Sequence, residues 1–377
     1  MKKNVLLRGG ALALALISVA VLFFAGCTKQ PRSLILKEDD TVYKIRTPLR
    51  EAGAQMNTRI SDLPGEDPFV VTDGAAPDPF IMYDHETDYY YGLSTQNSVI
   101  RLHRAKLLAD LFTGGESVVV YRTGEEIGES MWAPEMYFID GKWYIYSSGT
   151  VPGEGGEKHL FVLESGSADP FDGFHFKAYL DNGIFGIDPT LYYNEATGRR
   201  FICFSEVYEG AQWLSIAELT CPWKMGRQTR ISGPFDYQWE RLDGSSINEG
   251  PFFVASGTRL FIIFSANGCY SDSYRLGLLE YTGGDPLSAE SWSKYTKDIF
   301  SLNRRGGVFA PGHASFFYSP DHTELWIAYH CYYSTNRGAT RRMRICQVQR
   351  VDFDADGFPV PGEPLPEGTM ISVPSGE

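Results

Sequence analysis

The stretch Trp132-Ala133-Pro134-Glu135-Met136-Tyr137-Phe138, a turn at Asp140-Gly141, then Trp143-Tyr144-Ile145-Tyr146-Ser147-Ser148 decides the fold. It reads as a strand, a tight turn and a returning strand, because aromatic and β-branched residues fill both arms and Asp-Gly supplies the reversal. The pattern recurs on both sides. Upstream, Pro77-Asp78-Pro79-Phe80-Ile81-Met82-Tyr83 turns through Asp84 to Asp88 into Tyr89-Tyr90-Tyr91-Gly92-Leu93-Ser94. Downstream, Ile187-Asp188-Pro189-Thr190-Leu191-Tyr192-Tyr193 leads into Phe201-Ile202-Cys203-Phe204-Ser205. Asn248-Glu249-Gly250-Pro251-Phe252-Phe253-Val254 pairs with Leu260-Phe261-Ile262-Ile263-Phe264-Ser265. The last unit joins Gly312-His313-Ala314-Ser315-Phe316-Phe317-Tyr318 to Leu325-Trp326-Ile327-Ala328-Tyr329-His330.

Anchored on Asp78, Ala133, Asp188, Glu249 and His313, the units are spaced 55, 55, 61 and 64 residues apart. Further strand candidates, such as Leu160–Leu163 and Arg275–Leu279, lie between them, so about four strands fit each interval. That spacing predicts an all-β, five-bladed β-propeller with four-stranded antiparallel blades around a central channel. A β-sandwich or a string of small β domains gives no such regular interval. Ring closure is expected to use both ends, with residues 343–350 and part of 40–72 as candidates. The Pro/Gly-rich end after Gly357 reads as a short irregular tail.

Composition agrees. Of 377 residues, 43% are hydrophobic and 14% aromatic, enough apolar surface for a core and too much for a disordered chain. The formal net charge of -13 argues against broad binding to nucleic acid. Residues 1–26 begin with Lys2, Lys3 and Arg8 and run apolar from Ala11 to Phe24, which describes an export signal. Cys27 directly after Ala25-Gly26 resembles a bacterial lipoprotein signal, in which that Cys becomes the acylated first residue. The expectation is a lipoprotein at the periplasm or cell surface, with residues 27–40 as tether and 41–377 as propeller. Its membrane contact would be through the lipid alone. Cys203, Cys221, Cys269, Cys331 and Cys346 remain; they form no zinc-type spacing and no disulfide framework, although one pair stays possible.

Acids at the heads of the units carry the chemistry. In a propeller the first strand of each blade lines the channel, so Asp78, Asp188 and Glu249 are expected at equivalent positions around one funnel. Crowded carboxyls raise one another's pKa values and can leave one protonated near neutrality. Glycoside hydrolysis needs one protonated and one ionised carboxyl across the scissile bond.

These motifs resemble glycoside hydrolase family 43, five-bladed propeller enzymes acting on arabinofuranosides and xylosides. Ala76–Phe80, Trp132–Glu135, Ile187–Thr190, Asn248–Pro251 and Pro311–Phe316 with Tyr329-His330 are similar to its five blade motifs, and the likeness covers roughly residues 60–365. Ser265-Ala266-Asn267 through Leu279 is similar to arabinofuranosidase-like members. The resemblance implies that Asp78 is the general base and Glu249 the general acid. Asp188 would orient that acid and tune its pKa. It also implies an inverting mechanism with base and acid about 6.5–9.5 Å apart. Trp132 and His313 are candidate substrate contacts, and His313 is also a candidate ligand for a structural Ca2+ or Na+ on the axis. No cofactor is required for the chemistry. Glu135 reads as structural. Arg304, Arg305, Arg341, Arg342 and Arg344 could bind polar substrate groups, but surface charge is their default reading. Ala314 departs from the Asn common after the axial Gly-His, and Asp67 is a rival to Asp78. The expected activity is removal of α-L-arabinofuranosyl residues from plant cell-wall glycans. A β-xylosidase, an endo-arabinanase or a non-catalytic glycan-binding surface lipoprotein are the alternatives.

Overall fold

The computed structural model describes residues 47–62, 75–180, 185–333 and 344–377. The expected export signal and tether with Cys27, and Asp67, Arg341 and Arg342, lie outside the described residues. Five sheets of similar build follow one another along the chain. Blade one is formed by Phe80–Asp84, Tyr89–Leu93, Val99–Ala105 and Glu116–Arg122. Blade two contains Trp132–Ile139, Lys142–Thr150, Lys158–Ser165 and Phe174–Tyr179. Blade three contains Ile187–Asn194, Arg199–Tyr208 and Ala211–Cys221, whose outer edge is shared by Lys224–Met225 and Thr229–Ser232. Asn248–Ser256, Arg259–Ala266, Arg275–Tyr281 and Trp292–Lys294 make blade four. Blade five is Val308–Tyr318, Leu325–Tyr333, Ile345–Phe353 and Pro359–Val360. All pairings within the blades are antiparallel. The five-bladed expectation holds, and the hairpins fall where the repeat put them. No helix among the described residues is long and apolar enough to cross a membrane.

Aromatic side chains join the blades. Phe80 meets Tyr137 at 5.8 Å between blades one and two, and Tyr192 meets Phe253 at 5.3 Å between three and four. Phe252 meets Phe316 at 5.8 Å between four and five, and Tyr90 meets Phe317 at 6.2 Å between one and five. Because inner and middle strands are sandwiched between neighbouring sheets, both faces are apolar. Leu325–Tyr333 is buried at every position, as near-continuous hydrophobic strands are when covered on both sides.

Closure uses both chain ends, within the two candidate stretches 343–350 and 40–72. Thr58 and Ile60 bond to Val348 and Cys346 on the outer side of blade five. Gln55–Asn57 forms a separate ribbon with Met370–Ser372. The segment after Gly357 is therefore not merely an irregular tail. It supplies the fourth strand of blade five and this ribbon, both in pieces too short to show alternation. All five described cysteines are free.

Candidate functional site

Each inner strand opens with a backbone irregularity that aims side chains into the channel. Asp78, Ala133, Asp188 and His313 have left-handed φ values of 52°, 43°, 57° and 44°, and in blade four Gly250 takes that conformation at 53°. The strand register slips at the same place in blades two to five. Such bulges re-aim side chains at channel rims and next to active sites. The phase differs by one residue from the sequence expectation. Gly250, not Glu249, is equivalent to Asp78 and Asp188, and Glu249 corresponds to Trp132 and Ile187. The signal was present: Pro79, Pro134, Pro189 and Pro251 each follow the left-handed residue, and aligning on proline gives the right phase.

The structure brings Asp78, Asp188, Glu249 and His313 together at one mouth of the channel. Asp78 is buried, and its Oδ1 accepts a hydrogen bond from Arg344 Nη1 at 2.5 Å. The Nδ1 atoms of His330 and His313 lie 3.1 Å and 3.3 Å from the same oxygen. Burial opposes ionisation of Asp78, but Arg344, His313 and His330 outweigh it and hold the carboxyl well below the usual range. Asp188 Oδ2 accepts the Gly250 N–H at 3.0 Å, so this carboxyl grips the backbone next to Glu249. The Tyr274 hydroxyl donates to Glu249 Oε1 at 3.0 Å. Burial, and then the neighbouring Asp188, push Glu249 up to about 7. Burial and Asp78 push Asp188 to about 7 as well. The site thus holds one firmly ionised carboxylate and an adjacent acid pair that retains a proton near neutrality.

Three partners were not assigned from sequence. Arg344, read as surface charge, is largely enclosed against Asp78, and that carboxylate raises its pKa. His330 is fully buried, and burial lowers it to about 4. Tyr274 stacks on His330 with rings 3° from parallel and centroids 5.5 Å apart. His330 was visible in the fifth repeat, but Tyr274 sits on a loop without periodicity. The Cβ of any residue at Gly312 would fall 2.3 Å from the Tyr274 ring, so only glycine admits this tyrosine. Arg304 and Arg305 are exposed, as expected of surface charge.

Trp132 is partly exposed; its Nε1 donates to Asn97 Oδ1 at 3.0 Å, and Lys158 Nζ covers one ring face at 4.0 Å. Glu135 bonds to the Tyr137 hydroxyl, which also accepts the Leu191 N–H at 3.1 Å and ties blade two to blade three. Burial pushes Glu135 up to about 8. The donor set at His313 does not fit a Ca2+ ion, which takes six to eight oxygens. Its Nδ1 faces Asp78 and Asp188, Arg344 already neutralises that corner, and no group of three His, Cys, Asp or Glu among the described residues is arranged to hold a metal.

Fold and site together define a five-bladed propeller that gathers acids of unlike ionisation at one end of its channel. A family model described as Glycosyl hydrolases family 43 matches residues 68–359, and the chain belongs to that family. It is 32% identical over 308 residues to "Extracellular exo-alpha-(1->5)-L-arabinofuranosidase" of Streptomyces avermitilis, covering 77% of this chain and 62% of that relative. The Streptomyces chartreusis protein of the same description is 30% identical over 264 residues, 67% of this chain and 79% of that one. The chain thus spans less than two thirds of the S. avermitilis relative's length. Among solved structures, an α-L-arabinofuranosidase from Lactobacillus brevis superposes with a TM-score of 0.70 at 25% identity, covering 78% of this chain and 96% of that one. A thermostable family-43 glycoside hydrolase matches in fold with a TM-score of 0.64 at 22% identity, with the same coverages.

Proposed function

We propose that the chain is an exo-acting α-L-arabinofuranosidase that works by single displacement with inversion. The observation that carries this reading is the gathering of Asp78, held by Arg344, His313 and His330, with Glu249, held by Tyr274 and, through the Gly250 amide, by Asp188. Asp78 accepts a proton from the water that attacks the anomeric carbon, and Arg344 keeps it charged at some cost in basicity. Glu249 gives its proton to the departing glycosidic oxygen while the Tyr274 hydroxyl fixes its orientation. Asp188 positions Glu249 through the Gly250 amide and keeps it protonated by like-charge repulsion. The bond to the leaving oxygen breaks as the water–carbon bond forms; Asp78 is left with one proton more and Glu249 with one fewer, and exchange with solvent restores both. No cofactor enters. His313 and Trp132 line the sugar site, His313 by bonding and Trp132 by its open ring face.

The activities for which the Streptomyces relatives are named support arabinofuranose as the sugar, and their extracellular character supports export. The sequence around Cys27 supports a lipid anchor at the cell surface or periplasm. A panel of chromogenic arabinofuranoside, xyloside and galactofuranoside with Glu249→Gln as control tests the activity. Turnover of the arabinofuranoside that is lost in the variant is expected. Preferential cleavage of the xyloside would make it a β-xylosidase, release of internal fragments from arabinan an endo-arabinanase, and binding without turnover a glycan-binding protein. Mass measurement of the membrane fraction, with and without Cys27→Ala, tests the anchor.

A further inference from the structure

Exposed apolar side chains are unevenly placed. Of ten large hydrophobic residues exposed among the described residues, seven come from blades three and four and the segment between them: Trp223 and Tyr295 lie away from the acids, and Val207, Tyr208, Phe235, Leu242 and Tyr270 remain. The strand register puts Val207, Tyr208, Phe235 and Tyr270 at the end of their blades that carries the acids, and Leu242 joins them through its N–H bond to Asn267 Oδ1 at 2.6 Å. Ile187 pairs with Ser205, so Val207 and Tyr208 project beyond the Asp188 end of blade three. Ser232 pairs with Leu214 and leads to Phe235 at that same end. Asn248 pairs with Ala266, so Tyr270 lies beyond the Glu249 end of blade four. Exposed apolar patches of this kind mark interaction sites.

The rings are held in place. Trp213 lies between Tyr208 at 6.1 Å and Phe235 at 5.7 Å, with Gly233 so close behind that a Cβ there would fall 2.4 Å from the indole. Arg230 packs on Tyr208 at 3.6 Å while its guanidinium pairs with Glu206 at 2.7 Å, which cancels both charges. Two shallow recesses flank the rings, about 360 Å³ beside Arg227–Arg230 and about 340 Å³ beside Phe235–Gln238. The Gln212 N–H bonds to Ser246 O, two residues before Asn248, so this surface is tied to the strand that presents Glu249.

We propose that the rim of blades three and four is a docking track for the backbone of a neutral pentose polysaccharide, with Tyr208 and Phe235 as its stacking rings. Neutral sugars present apolar ring faces and hydroxyls, which suit fixed aromatic rings flanked by arginines, Arg230 paired with Glu206 and Arg241 5.1 Å over Phe235. The track lies at the same end of blades three and four as Asp188 and Glu249 and makes the natural substrate a polymer rather than a short oligosaccharide. The inference rests on the arabinofuranosidase reading for its sugar class.

The test compares Tyr208→Ala, Phe235→Ala and the double variant with the parent on a chromogenic arabinofuranoside and on soluble arabinan. We expect about a three- to tenfold fall in kcat/KM on arabinan per ring, carried by KM, with the small substrate unchanged. Retardation of Glu249→Gln protein in arabinan or arabinoxylan gels, absent in dextran, should weaken with the same substitutions and return with Phe235→Trp. Equal losses on both substrates, or no retardation in any gel, overturn the track. A protein that cleaves no arabinofuranoside yet is retarded through these rings overturns the activity and keeps the track.

Discussion

Glu249 is the residue on which pH should act most visibly. Its folded pKa, near 7, stands above the ordinary 4.5 because burial, and then the neighbouring Asp188, opposes its ionisation. The proton needed for the leaving group is therefore present below about pH 7 and lost above it. We expect kcat/KM to fall with a basic limb near pH 7, measured on a chromogenic substrate. Asp188→Asn removes the repelling charge, so that limb should move to lower pH as kcat drops. An unmoved limb would deny Asp188 its influence on the acid. Stability follows the same sign. A raised carboxyl favours the fold fully below 4.5, and that contribution disappears as pH rises through about 7. Glu249→Gln should flatten this part of the denaturation midpoint against pH. Turnover in Glu249→Gln and Asp78→Asn should each fall roughly 10²–10⁴-fold with the near-ultraviolet circular dichroism retained, as loss of a proton-transfer group predicts.

At the scale of the strand, function depends on how each inner strand begins. A left-handed residue followed by proline opens the inner strand in four blades; in three of them an acid at the bulge, or one residue before it, faces the mouth, and in blade two Ala133 and Trp132 take those places. In blade four the left-handed position is Gly250, which frees Glu249 to project from the preceding residue. A methyl group at Gly250 would meet the His313 ring at 3.1–3.3 Å with φ at 53°. Gly250→Ala should therefore cost about 1–3 kcal/mol, read by urea denaturation, and lower kcat by displacing His313. Full activity and stability would show that the bulge tolerates a side chain. This scale also explains what the sequence disclosed. Hairpins such as Trp132–Ser148 were legible because apolar runs and Asp-Gly turns are local signals. The acids were legible because they stand beside prolines at the repeat interval. The one-residue offset of Glu249 was not taken from those prolines, and Tyr274 and Arg344 were missed because long-range packing brings them in from segments without periodicity.

Across the whole molecule, the acids share a mouth only while the ring stays closed, and closure rests on the seam between blades one and five. Met56, Ile60, Ile81, Tyr83, Tyr90, Phe317, Trp326 and Val348 form one apolar cluster across that seam. Thr58 and Ile60 stitch it to Ile345–Phe353 with backbone bonds, and the Cys346 N–H donates to Ser61 Oγ at 2.8 Å. Every other junction follows the chain directly from one blade to the next, whereas here contacts span nearly 300 residues and must offset a long loop closure. Asp78 opens blade one, while Arg344 and His330 belong to blade five, so the base is assembled at this same seam. Ile60 is 1% exposed, and Ile60→Ala should cost about 2–5 kcal/mol as a buried truncation. The location of the loss is the sharper test. Hydrogen exchange should accelerate first in Phe80–Asp84 and Ile345–Phe353 while blade three stays protected, and activity should fall as Asp78 loses its partners. Uniform acceleration in all five blades would mean that the ring opens nowhere in particular, and that the seam does not govern the site.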